Sequence, residues 1–223
     1  MQKFDTPAPV SAVLDIPAGR VRFIAADRAD TTVEILPADA ARGRDVKAAE
    51  QTEVTYGDGV LRIGTAAARN RLLGASGSVE VTVRLPAGSR VDAKAADAEL
   101  RGVGRLGDVA FEGGQATVRL DEAASTRLTV LAGDITVGRL DGPAEISTQK
   151  GDLHVTEAVR GTVMLRTGHG DISVGAAHGV SASLDAGTDH GRIHNALKNN
   201  DGAGAALHIR ATTAYGDIDA RGL

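Results

Sequence analysis

The chain has no cysteine and no tryptophan, and only 2% of its 223 residues are aromatic. Without cysteine there are no disulfides, no thiolate metal sites and no thiol nucleophiles. With so few rings, the core must be filled by Val, Ile, Leu, Ala and Thr. That suits a thin, layered interior better than a broad globular one. No run approaches the roughly 18 apolar residues that a spanning helix needs. No basic tract is interleaved with aromatics, and the net charge is −4, so a nucleic-acid surface is not expected. The segment Met1–Val10 has one Lys, two Pro and no apolar run, and it does not read as a secretory leader. The expectation is a soluble, cytoplasmic protein without membrane insertion.

What the chain has is glycine, 28 residues of it, and a hydrophobic fraction of 42%. The glycines mark a repeat. Gly-Asp-[Ile/Leu]-x-Val occurs at Gly133–Val137, Gly151–Val155 and Gly170–Val174, with weaker copies at Gly191–Asn195 and Gly216–Ala220. An earlier copy, Gly114–Val118, keeps only the spacing and the apolar positions. Successive intervals are 19, 18, 19, 21 and 25 residues. The last is lengthened by the polar stretch Lys198–Gly202, which reads as a loop.

Alignment on the Gly gives further columns. Two residues after it stand Ile135, Leu153, Ile172, Ile193 and Ile218, expected to form one buried column. Five before it stand Leu128, Ile146, Leu165, Ala186 and Ala211, and three before it Val130, Thr148, Thr167, Thr188 and Thr213. Alternation over four to six residues is strand patterning with one buried face. Each unit is therefore a strand, a Gly turn, a second strand and a return. One unit cannot bury its own face, but stacking copies about 4.8 Å apart buries a continuous core. The Thr column would pack its methyls inward while its hydroxyls bond an adjacent rung. The Asp after each Gly would accept bonds from turn N–H groups.

The first hundred residues show the same style less regularly. Expected strands are Ser11–Ile16, Val21–Ala25, Thr32–Leu36, Glu53–Tyr56, Val60–Ile63 and Val79–Leu85. Two Pro-Ala-Gly turns echo each other after Ile16 and Leu85. Asp39–Glu50 reads as a loop or short helix, and Thr65–Ser76 as an irregular segment carrying Arg69, Arg71, Leu72 and Leu73. No linker divides the chain. The expected organisation is a single all-β solenoid domain over 1–223, with irregular coils and a cap in 1–106 and regular Gly-Asp-Ile repeats in 107–223.

The tandem Gly-Asp-Ile-x-Val turns, with strand pairs such as Ala144–Gln149 followed by Asp152–Val155, resemble the toast-rack ("putative-adhesin") family of bacterial β-helix proteins of unknown function. The resemblance implies a single-stranded right-handed β-helix. It implies no established activity or catalytic residues.

Three chemistries can be weighed on the residues. His169 and His190 precede turn glycines on what reads as successive rungs, with Tyr215 next in the column. Two imidazoles do not make a zinc site, which takes three or four ligands. The Asp column Asp108, Asp134, Asp152, Asp171 and Asp217 lacks the dense nine-residue repeat of calcium-binding rolls, so turn capping is its expected role. A carbohydrate-active β-helix enzyme would need carboxylates gathered in a groove, whereas here charges are scattered. The expectation is a noncatalytic scaffold or interaction module with no cofactor and an unidentified protein partner. A self-assembling homo-oligomer and a lyase or hydrolase are the alternatives. The candidate partner surface is His169, His190 and Tyr215 beside the loop residues Lys198, Asn199 and Asn200.

Overall fold

The computed structural model describes residues 1–65 and 77–223. Most of the segment expected to be irregular at 65–76 lies outside the described residues, including Arg69, Arg71, Leu72 and Leu73. The chain is almost entirely extended and divides into two compact units, Met1–Ala116 and Thr117–Leu223.

The N-terminal unit contains β1 (Gln2–Asp5), β2 (Ser11–Ala26), β3 (Asp30–Pro37), helix α1 (Gly43–Glu50), β4 (Thr52–Gly57), β5 (Val60–Thr65), β6 (Val79–Pro86) and the first part of β7 (Arg90–Ala132). The two strands expected between Ser11 and Ala25 are one run, because Pro17–Gly19 bends the chain without breaking the ladder. Gly19 adopts φ +149°, and a Cβ there would strike the Val79 carbonyl, so only glycine fits this corner. The second Pro-Ala-Gly turn is held by buried Ser89, whose hydroxyl donates to the Pro86 carbonyl and accepts the Val10 N–H.

Strand β2 runs parallel to β7 on one side. On its other side it pairs in parallel with β5 through Ser11–Asp15 and with β6 through Gly19–Ala26. The coil that comes first in sequence is thus sandwiched between two later ones. Outside it, β4 pairs antiparallel with β5, β3 pairs antiparallel with β6, and β1 pairs antiparallel with β3. Helix α1 falls within the segment read as loop or short helix. Its buried Asp45 accepts the Ser78 N–H, which ties the helix to the approach to β6. Val79, Val81, Val83 and Leu85, Leu61 and Ile63, and Val21 and Phe23 fill the interior.

The C-terminal unit begins within β7 and continues through β8 (Ile135–Leu140), β9 (Ala144–Lys150), β10 (Leu153–Ala158), β11 (Gly161–His169), β12 (Ile172–Ala176), β13 (Ala182–His190), β14 (Ile193–Ala196), β15 (Leu207–Tyr215) and β16 (Ile218–Gly222). All its pairings are parallel. The expected core columns are seen: Ile135, Leu153, Ile172 and Ile218 are buried, as are Leu128, Ile146, Leu165 and Ala211.

Ile193 is a correction to that column, because it is 46% exposed. The cause is rung order. Strand β12 pairs with β16, and β16 with β14; likewise β11 pairs with β15, and β15 with β13. The coil 207–222 lies between the coils 161–176 and 182–196, although it follows both in sequence. Strands β13 and β14 therefore form the outer rung, and among the described residues Ile193 has a strand neighbour on one side only.

Candidate interaction surface

The turn glycines approach one another in the order Gly133, Gly151, Gly170, Gly216, Gly191. Gly133, Gly151, Gly170 and Gly216 hold φ between +131° and +150°, which disfavours any side chain. A Cβ on Gly170 would meet the Gly151 carbonyl, so the close approach and the dihedral both require glycine.

The Thr and Asp columns follow the same order. The hydroxyls of Thr148, Thr167, Thr213 and Thr188 donate to the carbonyls of Gly133, Gly151, Gly170 and Gly216 at 3.0–3.4 Å. Each Asp carboxylate accepts the backbone N–H of the residue one rung on: Asp134 from Asp152, Asp152 from Asp171, Asp171 from Asp217, and Asp217 from Arg192, at 2.7–2.9 Å. These four carboxylates cap turns, the role expected of them, but Asp108 is not in their column: Val118 pairs with Ile135, so Thr117 stands at the level of Asp134. The ladder ends on a cation. Arg192 stands where the other repeats have Asp, and its guanidinium bonds Asp217 at 2.6 and 3.1 Å. That bond holds the Asp217 carboxyl below its ordinary pKa and raises the arginine above its own. An Asp at the last rung would have no further turn N–H to accept, whereas an Arg neutralises the carboxylate it follows.

The rung order also rearranges the ring column. His169 and His190 are not on successive rungs: Tyr215 lies between them. The Tyr215 ring stacks on His169 at 4.8 Å and 7°, and on His190 at 4.6 Å and 15°. The two imidazoles are thus separated by a phenol and cannot share a metal ion directly. No cluster of three or more potential metal ligands occurs among the described residues. Tyr215 is 51% exposed, and Lys150 is the register partner of His169 on the next rung.

Lys198, Asn199 and Asn200 lie elsewhere. The Lys198 carbonyl accepts the Ala182 N–H, and Ser181 bonds both the Asn199 side chain and the Asn200 N–H. The loop thus sits at the start of β13 and the rings at its end, eight residues or about 26 Å away along the strand. The structure brings the three rings together and leaves the loop outside their reach.

One polar pair went unread in the sequence. Ser183 Oγ and His208 Nδ1 are 2.8 Å apart across β13 and β15, beside a groove of about 440 Å³ that Thr162, Asp185 and Arg210 also line. Ser183 and His208 are register partners on the exposed face, a cross-strand pair that only the true rung order creates. No helix among the described residues is long and apolar enough to cross a membrane.

Parallel coils stacked through Gly turns, with Thr and Asp ladders between rungs, define a β-solenoid of the β-helix type. Within that class, the match to Toastrack DUF4097 spans residues 13–222, and the chain belongs to this family. No curated protein matches the chain. Among solved structures it is similar to a "putative adhesin" from Bacteroides fragilis, at 13% identity and a TM-score of 0.49, covering 98% of this chain and 95% of that one. It is also similar to a "putative cell adhesion protein" from Clostridium sporogenes, at 11% identity and a TM-score of 0.40, covering 100% and 98% of the two chains. A third is a "putative adhesin" from Parabacteroides distasonis, at 14% identity and 0.41, covering 99% and 93%.

Proposed function

We propose that this protein is a noncatalytic β-solenoid module that binds a protein partner through the ring column of its C-terminal unit. The observation that carries this reading is the stack of His169, Tyr215 and His190. Three rings on three rungs form a continuous, partly exposed strip whose geometry the backbone ladder fixes in advance. Exposed Tyr covers contact area at low entropic cost, and a pre-ordered surface loses little freedom on binding. The regular polar columns support the same reading, because their Asp and Thr groups are engaged in holding rung to rung.

The test is capture of partners on the intact protein, followed by binding of the identified partner to the H169A/H190A/Y215A variant. The three side chains sit outside the core columns, so the fold is expected to survive, which circular dichroism verifies. The expected result is at least about ten-fold weaker binding, as loss of a clustered aromatic anchor produces. Undiminished binding would show that another face carries the interaction.

A further inference from the structure

The outer coil of the C-terminal unit is an edge that, beyond the loop carbonyl of Lys198 on the Ala182 N–H, has no strand built on it among the described residues. Among the described residues, β13 pairs only with β15, and β14 only with β16. Here the core runs out into solvent. Ile193 is 46% exposed, and Leu184 and Ala186 are half-buried, while Ile209 and Ala211 one rung inward are fully buried. Sheets protect such edges with Pro, Lys or inward-pointing charges. The run Ala182–Ala196 has no Pro and no Lys, and its inward positions Leu184, Ala186, Thr188 and Ile193 carry no charge.

We propose that a second copy of this chain covers the edge, with two C-terminal units meeting end to end about a two-fold axis and β13 pairing antiparallel with its counterpart. The sequence of the strand is self-complementary in that arrangement. In a register centred on Ala186, outward Ser183 opposes Asp189 and outward Asp185 opposes Gly187. Inward Leu184 opposes Thr188, and Ala186 opposes itself. Over Ser183–Asp189 no two like charges stand directly opposite and inward positions meet inward ones, and the ladder stops short of Ala182, whose N–H the Lys198 carbonyl already holds. Ala186 lies five residues before Gly191, and the midpoint of β14 lies three to four after it, so the same axis brings the two copies of β14 together. Ile193 and Leu184 of both copies then close one apolar interior. An isologous contact of this kind ends in a dimer and does not propagate into a filament. The two readings share only His190, at the end of β13, so G187D tests the pairing and H169A/Y215A tests the ring column without touching the strand that pairs.

Gly187 provides the test. Its backbone is not in the left-handed region, and nothing lies within 4 Å of a Cβ built on it, so the isolated fold tolerates a side chain there. G187D sets a carboxylate opposite Asp185 at both symmetry-related crossings, and G187K sets an ammonium there. Sedimentation velocity of the full chain over a concentration series is expected to show a wild-type dimer, a retained dimer for G187K, and dimerisation weakened about ten-fold by G187D. Hydrogen exchange gives a readout free of any substitution: amides of Ser183–His190 are expected to lose protection when the wild type is diluted to monomer. A wild type that stays monomeric to its solubility limit overturns the proposal. So does a dimer that both variants leave unchanged, or one whose dilution leaves β13 protection as it was.

Discussion

The two units handle the same problem at their outer rungs in different ways. In each, the coil nearest the chain terminus is one rung in, and the neighbouring coil in sequence is outermost: β5 and β6 beyond β2, and β13 and β14 beyond β15 and β16. In the N-terminal unit that outer rung is roofed by antiparallel β3 and β4 and by α1, and its side chains are core, with Val81, Val83, Leu61 and Leu85 at most 1% exposed. In the C-terminal unit no strand covers it among the described residues, and its inward positions are half-buried or exposed where inner ones are buried: Ala186 is half-buried beside fully buried Ala211, and exposed Asn195 stands beside buried Ala220. A rung is core only when both of its faces are covered. The repeat motif alone does not decide that.

The sharpest way to break this comparison is one substitution at two equivalent repeat positions. I172D buries an unpaired charge and is expected to cost more than about 4 kcal/mol, enough to prevent folding, whereas I193D at the outer rung is expected to cost the monomer less than about 1 kcal/mol while weakening the dimer. Urea denaturation of both at a dilution that favours the monomer decides it, and an I193D as destabilised there as I172D would break the comparison. Next in size is G170A. It combines a left-handed dihedral with a clash against the Gly151 carbonyl and is expected to cost about 2–4 kcal/mol by thermal melting. A smaller effect tests the roof. D45A removes the buried acceptor of the Ser78 N–H and is expected to cost about 1–3 kcal/mol, with faster exchange confined to α1 and its surroundings.

The smallest effect concerns pH. Arg192 lowers the folded pKa of Asp217, so this carboxyl stabilises the fold above its unfolded pKa and loses that contribution as pH falls through the depressed value. Asp30 behaves in the same way through Arg28 and Lys3. Acid titration followed by exchange at Arg192–Ala196 is expected to show the outer rung loosening first. D217N should remove that acid sensitivity.

Column membership was legible from Gly133 onward because a period of two on either side of a Gly has one physical reading; the earlier copy Gly114–Val118 was misaligned by two residues, since Val118 pairs with Ile135 and Leu120 with Val137. Strand positions in the first hundred residues were legible for the same reason, apart from the join at Pro17–Gly19. Rung order was not. Spacing specifies which residues lie above one another but not in which sequence, since a long connection can carry the chain past one level and back. The interval from Gly191 to Gly216 is long enough to do so. That single ambiguity accounts for the misplacement of Ile193 and of Tyr215. A signal was nevertheless present. The copy Gly191-Arg192-Ile193-His194-Asn195 lacks both the Asp and the second apolar residue, and these are the two features that only an inner rung requires. The antiparallel roof was unreadable because β3 and β4 alternate just as the coils do, and alternation does not encode direction.

The inserted coil also constrains how the molecule can be made. Stacked repeats can ordinarily grow one level at a time, each new level condensing on the finished one before it. Here β13 and β14 emerge before β15 and β16, the strands they pair with among the described residues, so on leaving the ribosome they have no template beneath them. Residues 207–222 must enter a slot with a neighbour on both sides, like the last stone of an arch. A chain cut after Ala206 would therefore lose two levels rather than one, because removing the wedge also strands the coil it supports.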